Sequence, residues 1–340
     1  MVGHGSAGSE VISKFVRRFV IGGCLSLSLF AFADLIEDAK VLIRESREMV
    51  VALQNTDPPP DAETVNRVQA EAVSKMRDAQ IMMVKAGVRT TDDPALAYLY
   101  GDLLVRLGDV DLAAETLQNA FDLEPENADY ALGYGTILTQ LGEGHEKDAA
   151  QALQSAAELA EPESATAASA HAQLAEVYRQ SGLYDLTLKS ADRALEISPN
   201  HSGAKFLKAV CLARQGRFLE SNTLMNEVAT LAPVVAGDEH GRLYDAVRDF
   251  ERRNLWVANT AEEHAAYAKM LIRVNRLPDS LDSLRHSVRL NPNDAIVWNL
   301  LGSVYRQANR IDEARDAFEH SLAINPDQER TRQILEQLAE

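Results

Sequence analysis

Residues 295–328 read Ala295-Ile-Val-Trp298-Asn-Leu-Leu301-Gly302-Ser-Val-Tyr305-Arg-Gln-Ala-Asn309-Arg-Ile-Asp-Glu-Ala314-Arg-Asp-Ala-Phe318-Glu-His-Ser-Leu322-Ala-Ile-Asn-Pro326-Asp-Gln328. A polar turn around Asn309 separates two short helical patterns, and Pro326 stops the second, because proline lacks a backbone donor and disfavours helix at the residue before it. The same stop recurs at Pro125, Pro162, Pro199, Pro233 and Pro292, giving successive spacings of 37, 37, 34, 59 and 34 up to Pro326. Each 37 is a 34 with three extra residues, and the 59 is a 34 with a 25-residue insertion. A fixed period in the range of about 20–50 residues marks a solenoid and overrides element-by-element reading.

The frame of 295–328 repeats upstream. It appears at 94–127 (Tyr100, Gly101, Leu104, Gly108, Ala113), at 128–164 (Tyr134, Gly135, Leu138, Gly142, Ala150) and at 168–201 (Leu174, Ala175, Tyr178, Gly182, Ala194). It returns at 202–235 (Ala209, Leu212, Gly216, Phe218) and 261–294 (Tyr267, Ala268, Leu271, Leu284). Gly or Ala at the eighth position lets two helices approach closely. Gly108, Gly142, Gly182 and Gly216, then Asn275 and Asn309, occupy the turn where a left-handed residue closes the first helix. These six units resemble the tetratricopeptide repeat (TPR) family. The resemblance implies an all-α, right-handed TPR solenoid of about six helix-turn-helix repeats. Thr187 and Ser280 stand where the family places a small Ala in the second helix. Asp93-Pro94 reads as an N-cap with proline at the first helical position, and Thr260-Ala-Glu-Glu263 as a capping box.

The flanks complete the organisation. Residues 34–90 read as a helical hairpin, with Leu35, Ala39, Leu42, Ile43, Val50 and Leu53 along one face of its first helix and Val65, Val68, Ala72, Met76, Ala79 and Met83 along one face of its second. Its role is to cap the solenoid or, alternatively, to dimerise it. TPR repeats 1–4 span 94–235. A helical insertion over 236–260, with Leu243, Val247 and Phe250 at helical spacing, is expected to widen or bend the array before repeats 5–6 at 261–328. Residues 329–340 read as a capping helix through Ile334, Leu335 and Leu338.

The N-terminus reads as an address. Lys14, Arg17 and Arg18 precede an apolar run from Phe19 to Ala33 that ends Ala31-Phe32-Ala33. A positive region, a short apolar region and small residues at the end predict a secretory signal peptide over 1–33, cleaved after Ala33. The competing reading is an uncleaved anchor, somewhat short of the roughly 20 residues that span a bilayer. Ile21-Gly-Gly-Cys24 resembles a lipoprotein box, but the apolar run continues past Cys24. An exported protein, periplasmic or secreted, is the expectation.

Charge and chemistry exclude other classes. With 34 basic and 51 acidic residues the net charge is −17, against a nucleic-acid partner and against a polybasic membrane surface. Cys24 and Cys211 cannot build a thiolate zinc site or a disulfide framework. No histidine pair has metal-ligand spacing. His171 and His264 fall where Trp298 sits in the last unit, which favours packing. Asp238-Glu239-His240 is the tightest polar cluster, at the start of the inserted helix. No phosphate-loop, dinucleotide or nucleophile-elbow motif is present, so neither a cofactor nor an enzyme is expected.

In the TPR family the first helix of each unit lines the concave groove through its ninth, twelfth and thirteenth positions. By that resemblance the groove carries Asp102, Val105, Arg106, Thr136, Thr139, Gln140, Glu176, Arg179, Gln180, Val210, Ala213, Arg214, Lys269, Ile272, Arg273, Ser303, Arg306 and Gln307, with Tyr98 and Phe206 as apolar anchors. Six of these positions are basic and two acidic, a local reversal of the protein's overall charge. The family's own pattern is polar or basic at two of the three positions, which accounts for part of the reversal. The fifth positions hold no Lys, so the family's carboxylate clamp does not carry over. The expected function is an exported scaffold that binds a protein or extended peptide, acidic in character, in its groove. The alternative is a structural assembly subunit of an envelope complex, using its convex face or a homo-oligomer formed through 34–90. Membrane contact would come only through the N-terminal segment.

Overall fold

The computed structural model describes residues 25–56, 60–231, 239–253, 258 and 260–339. These form sixteen α-helices and one short 3₁₀ turn, with no strand among the described residues. The chain divides into two compact units, 1–180 and 181–340.

The first unit begins with helices α1 (Leu25–Gln54) and α2 (Ala62–Lys85), packed as a hairpin. Residues 1–24, which hold most of the predicted signal segment and Cys24, lie outside the described residues, and α1 runs without a break past Ala33. Asp61 caps α2 by accepting from the Thr64 N–H. The next turn (Val88–Thr90) leads to α3 (Pro94–Leu107), where the Asp93 side chain accepts from Ala95 and Leu96 N–H and Pro94 opens the helix, as the sequence predicts. Then follow α4 (Val110–Leu123), α5 (Ala128–Leu141), α6 (Glu146–Leu159) and α7 (Ala165–Gln180). Ala39, Ile43, Ala79 and Met83 of the hairpin share one apolar cluster with Tyr100, Leu103, Leu104 and Leu117. The hairpin thus covers the apolar face of α3 that no preceding repeat buries.

The second unit holds α8 (Tyr184–Ile197), α9 (Ser202–Arg214), α10 (Phe218–Leu231), α11 (Glu239–Arg252), α12 (Ala261–Arg273), α13 (Leu277–Leu290), α14 (Ala295–Gln307), α15 (Ile311–Ile324) and α16 (Glu329–Ala339). Helices pair antiparallel as α9/α10, α12/α13 and α14/α15. The close approach has a visible cause in the last pair. A Cβ at Gly302 would come within 2.8 Å of the Phe318 ring. Asn275 and Asn309 take positive φ of 57° and 56°, the left-handed conformation the frame demands. Thr260 and Glu263 form the full capping box at α12, a motif whose capping side chain contributes on the order of 1 kcal/mol.

Thr187 and Ser280 fit despite replacing Ala. Both are fully buried, and each hydroxyl donates to its own helix, Thr187 to the Leu183 carbonyl at 3.2 Å and Ser280 to the Leu277 carbonyl at 2.7 Å. Burial of a hydroxyl is costly only when it lacks a partner. Ser287 and Ser321, one period apart, donate across the helix pair to the carbonyls of Ala261 and Ala295, both at 2.7 Å. Ile334, Leu335 and Leu338 of α16 pack on the apolar cluster of α14 and α15, covering the end of the unit.

The insertion is seated on the fourth repeat. Helix α11 does form, but it does not separate the fourth and fifth repeats. Helices α10 and α12 pack directly, tied by Asn222 Nδ2 donating to the Ala266 carbonyl at 2.8 Å. Leu243, Ala246, Val247 and Phe250 instead bury against Phe206, Val210 and Ala213 of α9. The reason lies in the apolar stripe of α9, which continues around to its predicted groove face and offers α11 a seat.

Candidate functional site

In the first unit the predicted groove residues are largely engaged with neighbours. Tyr98 is half-buried, with its ring centroid 4.9 Å from that of Tyr130. Burial, and then the nearby Asp102, raises its phenol above the ordinary range. Arg106 is exposed, but Asp102 lies one helical turn back at 3.0 Å and also takes Arg47 of α1 at 2.6 Å. Arg179 holds Glu176 with two bonds of 2.9 and 2.8 Å. Gln180 donates to the same carboxylate at 3.2 Å and to the Thr139 carbonyl at 3.4 Å. Gln140 is exposed. The two arginines therefore carry no net local charge reversal, because each arrives with its own carboxylate.

In the second unit the fourth repeat's face is closed. Phe206 is 5% exposed and packs in the core rather than projecting as an anchor. Arg214 lies between Tyr184, whose ring its guanidinium covers at 3.6 Å, and Asp249 of α11 at 2.6 Å. Asp249 also pairs with Arg253 at 3.1 Å, and Arg253 donates to the Arg214 carbonyl. Two residues beyond Asp249 on α11, Glu251 accepts two bonds from Arg276, both 2.8 Å, and one from the Tyr267 hydroxyl. Burial drives the Tyr267 phenol strongly upward, and the bond to Glu251 adds to the effect.

Beyond the insertion the face is open. Lys269 and Arg306 are exposed, and neither has a carboxylate within ion-pair distance among the described residues. Gln307 is exposed beside Arg306. Arg273 donates to Asn226 Oδ1 at 2.8 Å. Lys269 lines a cavity of about 390 Å³ whose walls come from α10, α12 and the start of α14, including Leu219, Asn222, Asn226, Glu262 and Asp294. That volume lies within the range of ligand pockets. Asn222 and Asn226 are the residues that groove positions alone miss, since they stand on the second helix of their repeat. A signal was present: two Asn residues one turn apart in a helix interior, where their side chains are intrinsically unfavourable.

The chemistry-bearing residues of the sequence behave as packing groups where they are described. His264 stacks on His286 with centroids 5.1 Å apart, and one period later Trp298 stacks on His320 at 4.5 Å. Cys211 is buried. Asp238 and the side chains of Glu239 and His240 lie outside the described residues. Among the described residues no cluster of His, Cys, Asp and Glu has metal-holding geometry, and no helix is long and apolar enough to cross a membrane.

Comparison with known proteins agrees with this architecture. Profiles described as "Tetratricopeptide repeat" match residues 98–164 and 172–234, and a second such profile matches 295–328. Similar solved structures include the APC/C hetero-tetramer Cut9–Hcn1, at 13% identity and TM-score 0.45, covering 98% of this chain and 60% of that one. A tetratricopeptide repeat protein from Parabacteroides merdae matches at 15% identity and TM-score 0.40, covering 89% of this chain and 100% of its own. YrrB, described as a TPR protein with an unusual peptide-binding site, matches at 15% identity and TM-score 0.33, covering 74% of this chain and 96% of its own. No curated protein sequence matches. The repeated helix pairs, the positive-φ residue that closes the first helix of each pair and the matched profiles make this chain a tetratricopeptide repeat protein, an all-α scaffold for protein–protein interaction.

Proposed function

We propose that the protein is an exported, non-catalytic adaptor that takes an acidic peptide or partner segment along the inner face of its fifth and sixth repeats. One observation carries this reading: of the six basic groove positions, Lys269 and Arg306 alone are exposed without a carboxylate or amide partner among the described residues, and both lie after the insertion. Cations left unpaired on a protein of net charge −17 are set against the general field of the molecule and favour an anionic partner locally. Export rests on the sequence of residues 1–33. N-terminal sequencing of the protein recovered from the host's envelope fraction should begin at Asp34, and a chain starting at Met1 in the cytoplasm would remove that part.

The interaction is tested by affinity capture from the same fraction, with the native chain beside a Lys269→Glu/Arg306→Glu variant. Arg214 is unsuited to this test, since a glutamate there would face Asp249. A partner held by the native chain and lost by the folded variant is the expected result. A partner held equally by both would move the interaction elsewhere. The hairpin is then the leading surface, because Val51 and Ile81 leave about half their area exposed there, at 52% and 51%. In that case Val51→Lys/Ile81→Lys should abolish self-association in sedimentation.

A further inference from the structure

The cavity beside Lys269 has an organised polar wall. Asn222 and Asn226 stand one turn apart on α10, and both line it. Each amide has one end committed to the protein. Asn222 Nδ2 donates to the Ala266 carbonyl at 2.8 Å, and Asn226 Oδ1 accepts from Arg273 Nη2 at 2.8 Å. A carbonyl can only accept and a guanidinium can only donate, so chemistry fixes the orientation of both amides. What remains for the cavity is the Asn222 carbonyl oxygen, an acceptor, and the Asn226 NH₂, a donor. The two residues stand about 6 Å apart along the helix axis. One residue of an extended peptide presents its N–H and C=O to the same side, as paired strands do. That is the complement of an acceptor set beside a donor.

The remaining walls select side chains. Lys269 offers an exposed ammonium, and Leu219, 52% exposed, offers an apolar surface. The Asp294 carboxylate is already used, accepting from the Ile296 and Val297 N–H groups at 3.0 and 3.2 Å. Glu262 stands on the same helix face as Lys269, two turns before it, and bears against a continuous run of acidic residues in the ligand.

We propose that this cavity is a main-chain clamp for an extended peptide, with Asn222 and Asn226 holding the N–H and C=O of one residue and Lys269 taking a neighbouring Asp or Glu side chain. The clamp rests on the adaptor reading above and specifies its ligand as a single acidic residue in an extended, otherwise uncharged segment. Affinity then comes from the main chain, and the side chain at Lys269 sets selectivity.

The test uses the full-length chain and an array of acetylated, amidated hexapeptides carrying one Asp, Glu, Lys or Arg at a fixed position and random uncharged residues elsewhere. The strongest binder is resynthesised with each backbone nitrogen methylated in turn. The informative variant is Asn226→Asp, which keeps the acceptor for Arg273 but replaces the donor facing the cavity with a second acceptor. Its helicity and melting temperature, read by circular dichroism, should stay native. Its affinity should fall at least tenfold, with methylation at one peptide position costing as much, and Lys269→Glu should switch the array's preference from acidic to basic peptides. Binding that survives both substitutions would overturn the clamp while leaving the adaptor reading intact. Absence of binding by the native chain to every peptide on the array would overturn the clamp and count against the adaptor reading as well.

Discussion

The fourth and fifth repeats of this protein are built on one frame and present opposite inner faces. In the fourth, α9 turns Phe206, Val210 and Ala213 toward α11, and Arg214 is held by Asp249. In the fifth, α12 turns Glu262, Ala265 and Lys269 toward an open cavity. At the matching positions Phe206 gives way to Ala265, Val210 to Lys269 and Ala213 to Ile272, so the fifth repeat lacks the ring and carries a charge on that stripe. Where the stripe is apolar with a large ring, a neighbouring segment of chain seals it, and where the charge replaces Val210 the face stays open. An insertion in a repeat protein therefore need not separate the repeats on either side of it. It can close one binding position and confine ligand contact to those beyond it.

The sharpest way to break that comparison is at the seal. Phe250 is 2% exposed, stands edge-on to Phe218 at 5.1 Å, and lies so close to Gly216 that a Cβ there would fall 2.4 Å from its ring. Gly216 has φ +79°, so it is required both for its left-handed backbone and for the ring's approach. Phe250→Ala should cost about 3–5 kcal/mol in chemical denaturation. A cost below about 1 kcal/mol would mean that α11 is a removable cover, not part of the core.

A smaller effect is expected at the junction between the sealed and open faces. Tyr267 is buried and its hydroxyl donates to Glu251, which Arg276 also holds. Tyr267→Phe should cost about 1–2 kcal/mol, less than full loss of a charged pair because Arg276 continues to satisfy the carboxylate. The same phenol links stability to alkaline pH. Its folded pKa is raised, so the folded state keeps a proton that the unfolded chain releases from about pH 10 upward. The stabilisation is fully present below that pH and falls as pH rises through the folded pKa. Denaturation series between pH 8 and 11, with and without Tyr267→Phe, should show a steeper alkaline loss in the native protein.

The repeat frame was legible because it rests on periodic residues with separate physical jobs: prolines that stop helices, Gly and Asn that take positive φ, and Gly302 under Phe318. The inner face was legible only in part. Its positions follow from the helix period, but the state of each side chain depends on the partner it meets. Arg106 meets Asp102, Arg179 meets Glu176, and Arg214 meets Asp249 on an inserted helix. The first two partners were already visible at neighbouring groove positions, whereas Asp249 could not be assigned before α11 was seen to lie on α9. Asn222 and Asn226 escaped for a different reason. They belong to the second helix, which the repeat frame treats as structural, and their directed amides exist only through bonds to Ala266 and Arg273.

The finest comparison is between the fifth and sixth repeats, which stack equivalent rings at a spacing of one period: His264 on His286, and Trp298 on His320. Indole carries no charge at any ordinary pH, whereas two imidazoles face each other in the fifth repeat. Burial lowers the His264 pKa, and the neighbouring His286 lowers it further, against a smaller upward pull from Glu263. A depressed histidine is bound as the neutral ring in the folded state. Its contribution is therefore present above the unfolded value near pH 6.5 and is lost as pH falls through the folded pKa. The loss should be under about 1 kcal/mol, because the site is partly open to water. His264→Trp copies the sixth repeat into the fifth and should flatten the decline in stability between pH 7.5 and 5. An unchanged slope would assign that decline to other groups and make the two stacks equivalent.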